Sequence, residues 1–273
     1  MDRQPKVLVI GDAMMDYYYF GTTTRISPEA PIPVVKITEV KAFEGGAGNV
    51  VNNLQALGAD VRLVSGGQNR NSIIPCPAKN RLMVGEIQLA RWDENDSLPP
   101  INIEFLNEQT CRWTPDAIVV SDYGKGSVDR AVINWLEDKR HIPTFIDTKR
   151  NPDDFGYFEQ TFFPNQVEYT QYKEEYTQRS NVIYKKGAQG VERLRFGKVI
   201  ESFRAYAKQV VSVCGAGDSI LASYVYYNCP PGHPDALFRA SIAAAVVVEK
   251  PWTATASVAE IEERIKCLDT KKA

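Results

Sequence analysis

Residues 117–146 read AIVVSDYGKGSVDRAVINWLEDKRHIPTFI, and this stretch decides the fold class. Ala117 to Ser121 is an apolar run of strand length. Val128 to Lys139 has helical period, with Val132, Ile133 and Leu136 on one face, and Pro143 to Ile146 is again strand-like. Strand, helix, strand over this span is a βαβ unit, which is right-handed when its strands are parallel neighbours. The pattern repeats outward. Lys6 to Ile10 reads as a first strand, and residues 47–57 as a helix with Val50, Val51, Leu54 and Leu57 in one stripe and Gly58 placed to end it. Asp60 to Val64 then returns to the sheet. Thr161 to Phe163, Asn181 to Tyr184 and a hairpin of Val191 to Phe196 with Val199 to Phe203 add strands. Ala216 to Tyr227, Pro234 to Val248 and Val258 to Leu268 read as helices, the last with a Ser257/Glu260 capping box. The expected class is α/β, a mostly parallel sheet flanked by helices. Pro33 to Val40 and Arg81 to Trp92 are β-rich with no helix between strand signals, so a small separate sheet is expected from them.

With 273 residues, 44% hydrophobic and 24% charged side chains and a net charge of -2, the chain is excluded from the disordered and collagen-like classes. Lys and Arg (32) nearly balance Asp and Glu (34) without a long basic run, which gives no reason to expect nucleic acid or anionic membrane as partner. No stretch reaches the roughly 20 apolar residues of a membrane span, and the start of the chain does not read as a signal peptide. The five cysteines are scattered, never in a CxxC pair, so a reducing cytoplasmic setting is expected rather than a disulfide framework or zinc site. With only His141 and His233, histidine-based metal sites and Ser-His-Asp hydrolysis are disfavoured. The chemistry is expected to rest on carboxylates and backbone.

Asp12, Asp122 and Asp147 each follow a strand signal, so in a parallel sheet they converge on the carboxyl rim where ligands bind. Singly, each is equally good turn chemistry. Gly215-Ala216-Gly217-Asp218 opens an apolar helix. Small residues there leave backbone N–H groups bare, with the positive end of the helix dipole behind them, and a carboxylate one step inside could take a proton from an attacking hydroxyl. The alternative is a plain cap. Gly45 to Asn49 before the first helix and Lys186 to Gly190 after a strand are each readable as a ligand loop or an ordinary turn. Asn165 with Glu168 is also a capping arrangement.

In order, GDxMxD at 11–16, GGAGN at 45–49, PNxxE at 164–168, KxGxxG at 185–190 and GAGD at 215–218 resemble the motifs of the ribokinase-like (pfkB) carbohydrate kinases. RISPEAPIPVVK at 25–36 and SDYGKG at 121–126 look most like the kinase domain of the bifunctional heptose kinase/adenylyltransferases. The resemblance implies a ribokinase-like fold with a small β-sheet lid, strands about 13–40 and 79–93, in one kinase domain spanning 1–273, with no adenylyltransferase half. It implies phosphoryl transfer from ATP, with Mg2+, to the anomeric hydroxyl of D-glycero-β-D-manno-heptose 7-phosphate. Asp218 would be the base and Gly215, Ala216 and Gly217 the anion hole. Asp12, Asp16, Gly45, Gly46, Asn49, Asp122 and Lys125 would bind the sugar. Asn165 and Glu168 would organise magnesium, Asn165, Lys186, Gly187 and Gly190 would border the nucleotide, and Ala244 would pack near adenine. In this family the lid is often a homodimer interface.

The chain also departs from the family. Ser212 replaces a usual aspartate, Pro251-Trp252 replaces a glycine-rich stretch beside adenine and is expected to reshape that pocket, and two regions are short. Only Ser65 to Lys79 leads to the lid strands, and no room for a further helix is expected between Glu168 and Asn181, leaving part of the sheet uncovered. A kinase for another sugar or a nucleoside, and a sugar- or nucleotide-binding relative without turnover, are the competing readings. A dinucleotide-dependent oxidoreductase is excluded, because no GxGxxG follows the first strand.

Overall fold

The structure, a computed structural model, describes residues 3–68, 76–229 and 232–269. Part of the short 65–79 connection, residues 69–75, lies outside the described residues. In chain order the strands are β1 (Lys6–Gly11), β2 (Ala13–Ile26), β3 (Pro33–Gly46), β4 (Asp60–Ser65), β5 (Ala78–Val84), β6 (Ile87–Glu94), β7 (Ala117–Asp122), β8 (Thr144–Thr148), β9 (Gln160–Phe162), β10 (Val182–Lys185), β11 (Val191–Arg195) and β12 (Lys198–Phe203). The helices are α1 (Ala47–Ala56), α2 (Ile103–Thr110), α3 (Arg130–Asp138), α4 (Gln166–Gln171), α5 (Lys173–Thr177), α6 (Ala216–Asn228), α7 (Ala236–Val248) and α8 (Val258–Asp269).

Among the described residues the main sheet has eight strands, in the order β12-β11-β10-β9-β8-β7-β1-β4. From β10 across to β4 the neighbours pair in parallel, and β11 and β12 add antiparallel at one edge. From β1 the chain goes first to β4 on one side and later to β7 on the other. The crevice beyond the carboxyl ends of β1 and β7 is therefore a topological switch point, the usual place for a ligand in such sheets.

Alternation along β1 explains why its sequence is a continuous apolar run. Val7 and Val9 pack with α1, α6 and α7, whereas Leu8 and Ile10 pack with Leu106 of α2 and Val132 and Leu136 of α3. Both faces are buried, so both must be apolar. Each such side chain contributes about 1.5–3 kcal/mol of transfer free energy. The central strands are thus covered on both sides, while the edge strand β12 leaves Val199 and Ile200 exposed. The cover comes partly from helices that the periodicity does not reveal. α2 is only eight residues long. α4 starts at Gln166 behind the Asn165/Glu168 cap, and α5 fits between Glu168 and Asn181, where no further helix was expected, as a short turn whose Tyr176 is buried.

β2, β3, β5 and β6 form the separate small sheet in the order β3-β2-β5-β6. The stretch 81–92 resolves into two strands that turn at Gly85, which has φ 58°. β2 runs unbroken for 14 residues and is paired on both sides, to β3 and to β5. Trp252 joins this sheet to the body. Its ring lies 4.9 Å from Phe20, 5.5 Å from Tyr18 and 6.3 Å from Phe43, centroid to centroid. It therefore packs on the small sheet rather than reshaping a pocket beside α7. Its φ of 62° is strained for a tryptophan, and the ring contacts, about 0.5–1.5 kcal/mol each, hold it there.

Candidate active site

The start of α6 is built for an anion. Gly215, with φ 78°, sits in the left-handed region and no side chain caps the helix. Ala216 N–H makes only a 3.4 Å contact with the Val213 carbonyl. In the turn before it, Ser212 Oγ accepts from Cys214 N–H, and Cys214 Sγ accepts from Tyr18 of the small sheet. A Cβ on Gly215 would come within 2.7 Å of Asn49 Nδ2, so glycine there lets α1 and α6 meet end to end.

Asp218, third residue of α6, is buried, 8% exposed. Asn49 Nδ2 donates to its Oδ2 at 2.6 Å and Tyr123 Oη donates to its Oδ1 at 3.2 Å. Asn53 Nδ2 in turn donates to Asn49 Oδ1, which fixes the orientation of the Asn49 amide. Burial pushes the Asp218 carboxyl up to about 6, against the downward pull of Asn49, Lys185 and Tyr123, with Asp147 adding to the rise. A carboxylate near 6 is ionised at neutral pH yet basic enough to take a proton in a transition state. The negative charge of Asp218, with burial, holds the Tyr123 phenol well above its ordinary range, so it stays a donor.

The three rim aspartates divide. Asp12 is inaccessible: Oδ2 accepts from Tyr123 N–H (2.8 Å) and Lys125 N–H (3.0 Å), and Oδ1 from Ser127 N–H (3.1 Å). It shapes the loop after β7 instead of meeting a sugar. Asp122 likewise faces inward, accepting from Gly124 N–H, Thr148 Oγ1 and Arg150 Nε. Only Asp147 faces the cavity described below, where it pairs with Lys185. Gly45 and Gly46 bring β3 against Asp16 and Asp12, since a Cβ on Gly45 would stand 2.5 Å from Asp16 Oδ2 and one on Gly46 would strike the Asp12 carbonyl. Asp16 pairs with Arg81 at 2.7 Å, and Lys125 with Asp96.

Asn165 and Glu168 form the capping box of α4. Asn165 Oδ1 accepts from Val167 and Glu168 N–H, and Glu168 accepts from Asn165 N–H (2.8 Å), Asn165 Nδ2 (2.7 Å) and Lys149 Nζ. That carboxylate, 4% exposed, already accepts three hydrogen bonds, one of them from an ammonium, and among the described residues no cluster of three or more His, Cys, Asp or Glu could hold a metal. The pair therefore does not fit Mg2+ as direct ligands, which would need free carboxylate oxygens at octahedral positions. Lys186, expected beside a nucleotide, instead points to Glu192 at 2.8 Å.

A cavity of about 450 Å3 opens in front of these groups, within the range of roughly 300–1,000 Å3 usual for ligand pockets. Gly215, Ala216, Gly217 and Asp218 line it, together with Asn165, Gly187, Gly190 and Ala244. Lys185, Tyr123, Lys149, Arg204 and Tyr206 also line it and were not singled out. Lys185 was within reach of a sequence argument, since it stands in the same loop motif one residue before Lys186.

Fold and site together define a ribokinase-like architecture. Ribokinase from Thermotoga maritima superposes with TM-score 0.70 over 97% of this chain and 100% of its own, at 14% identity. Phosphofructokinase-2 from Escherichia coli gives 0.72 over 98% of this chain and 100% of its own, at 15% identity. No family model matches the chain. In sequence it is similar to the "Bifunctional protein HldE" of Chromohalobacter salexigens, 32% identical over 95% of this chain and 63% of that protein. The protein of the same description from Campylobacter curvus is 34% identical over 97% of this chain and 66% of its own length. The chain thus spans a little under two thirds of the curated relatives it matches, and its fold is that of the ribokinase-like carbohydrate kinases. Among the described residues no helix is long and apolar enough to cross a membrane.

Proposed function

We propose that the chain transfers the γ-phosphoryl group of ATP to a hydroxyl of a phosphorylated sugar, the anomeric hydroxyl of D-glycero-β-D-manno-heptose 7-phosphate. The observation that carries this is Asp218: a buried carboxylate raised to about 6, set inside an uncapped helix end at the mouth of a nucleotide-sized cavity. The Tyr123 hydroxyl, 3.2 Å from Asp218 Oδ1, marks where an acceptor hydroxyl would sit, and the incoming sugar displaces it. Asp218 takes the proton as the sugar oxygen attacks, and the N–H groups at the start of α6 receive the charge of the moving phosphoryl group. Val213, Ile220, Ala244, Ala245 and Val248 give the far part of the cavity an apolar surface suited to a purine. When bound with the nucleotide, Mg2+ would supply further positive charge at the phosphates.

A phosphorylated acceptor is favoured by the basic groups of the small sheet. Arg91, Arg81 and Lys125 each act electrostatically on Lys79, and burial, with those cations, lowers the Lys79 ammonium from its ordinary value despite the pull of Asp16. Lys79 Nζ also stands 5.2 Å from the Tyr123 ring centre, next to the place assigned to the acceptor. Arg81, Arg91 and Lys125 already pair with Asp16, Asp93 and Asp96, so an arriving phosphate would act chiefly on the Lys79 ammonium. In this reading the small sheet is the lid, excluding water that would otherwise compete as acceptor. Ile26, Ile37, Val40, Ile87 and Leu89, all exposed on that sheet, suit it to pair with a second copy of the chain.

The test is ADP release from ATP and Mg2+ with heptose 7-phosphate, heptose and other sugar phosphates. Heptose 7-phosphate should be turned over, with Lys79→Met raising its KM about tenfold or more, the effect of one charged contact, and leaving the KM for ATP unchanged. Turnover of an unphosphorylated sugar alone would refute the acceptor assignment. ATP binding without ADP release for any sugar would instead favour a relative that only binds.

A further inference from the structure

Lys185 ends β10 on the floor of the cavity. Its backbone is fixed by Lys185 N–H donating to the Pro164 carbonyl at 2.9 Å and by a parallel bridge to Asn165. Its side chain is 10% exposed and pairs with Asp147, at the matching end of β8. The ammonium stands 3.4 Å from where a Cβ of Gly217 would lie, so it faces the bare turn of α6 at the one position that carries no side chain. Stability alone gives no reason for this pair, because a buried ion pair is on average no better than apolar residues of the same size. Lys186, its neighbour, is turned away to Glu192, which shows that the strand selects which lysine enters the site.

We propose that Lys185 is a catalytic residue of the phosphoryl transfer, donating from Nζ to a non-bridging oxygen of the transferring group while Asp147 holds it against Gly217. This rests on the phosphotransferase reading above. The bond from the γ-phosphorus to the bridging oxygen breaks with its electron pair kept by ADP, and the bond to the sugar oxygen forms. The hydroxyl proton passes to Asp218, and Lys185 keeps all its protons, acting as a fixed charge. It is the side-chain complement to the backbone N–H groups, and it is poised before any ligand arrives because Asp147 orients it.

The test compares wild type with Lys185→Met, Lys185→Arg and the double variant Lys185→Met/Asp147→Asn, the last removing the stranded carboxylate. Removing one such donor is expected to lower kcat about 10²–10³-fold with the sugar KM within about threefold, and Lys185→Arg should recover part of the loss. Because Lys185 draws the Asp218 carboxyl down, the acid limb of the rate profile should move to higher pH in Lys185→Met. Independently of turnover, titration with a non-hydrolysable ATP analogue and with ADP should show the analogue weakened about tenfold and ADP little changed, a loss confined to the γ-phosphate. Equal weakening of both nucleotides, or kcat within threefold of wild type in the double variant, overturns the assignment. If wild type binds the analogue but releases no ADP with any sugar, the kinase reading falls, while the ratio of the two affinities still decides whether Lys185 meets the terminal phosphate.

Discussion

Asp218→Asn is expected to lower ADP release by about 10²–10⁴-fold, the usual contribution of a general base, while making the protein more stable at neutral pH. The two effects have one cause. Burial pushes the Asp218 carboxyl up to about 6, so the folded protein holds this proton more tightly than the unfolded chain does. A raised carboxyl favours the folded state only while it is protonated. Its contribution declines as pH rises from about 4 to about 6, and above that the full penalty of a buried negative charge is present. Asparagine removes the charge, and its amide can still accept from Asn49 and donate to the Tyr123 oxygen. The gain should approach about 3 kcal/mol above pH 6, the worth of a two-unit shift, and vanish below about pH 4. Thermal unfolding from pH 4 to 8, set beside the initial rates, checks both halves. The wild-type rate should also fall on its acid side with an apparent pKa near 6. An Asp218→Asn protein that stays active, or that loses stability at pH 7, contradicts the assignment of the base.

The second large effect falls on Asp12. Asp12→Ala leaves the N–H groups of Tyr123, Lys125 and Ser127 without their acceptor in a buried place. Bonds to a charged acceptor are each worth about 1.5–3 kcal/mol, and because the loop relaxes together the loss should be about 3–5 kcal/mol rather than their sum. A carboxylate that served mainly to bind sugar would behave otherwise, giving a raised KM and an unchanged melting temperature. Urea unfolding separates the two outcomes through the midpoint alone.

Those two aspartates also mark how far the sequence can be read. Strands such as Lys6 to Gly11 were legible because burial on both faces leaves a solid apolar run, and GAGD was legible because only small residues let a helix end stay bare. Asp12 followed the same local logic as Asp147, but whether an aspartate after a strand faces the cavity or its own neighbouring loop depends on hydrogen bonds to residues more than 100 positions away. Trp252 was misplaced for a similar reason: its partners, Tyr18, Phe20 and Phe43, come from the other end of the chain. The Asn165/Glu168 cap that opens α4 was legible, but the extent of α4 and the presence of α5 were not, because six and five residues are too few to show a helical period. The choice between Lys185 and Lys186 depends on strand parity, which a one-residue uncertainty in the end of β10 inverts.

The central claim is that the uncapped start of α6 receives the phosphate being transferred while Asp218 stands over the acceptor. The most direct measurement is a crystal structure with a non-hydrolysable ATP analogue. The terminal phosphate should lie about 3 Å from the N–H groups of Gly217 and Asp218, with the purine toward Ala244. A triphosphate running the other way, with its terminal phosphate beyond hydrogen-bond reach of Gly217 and Asp218, would contradict the account.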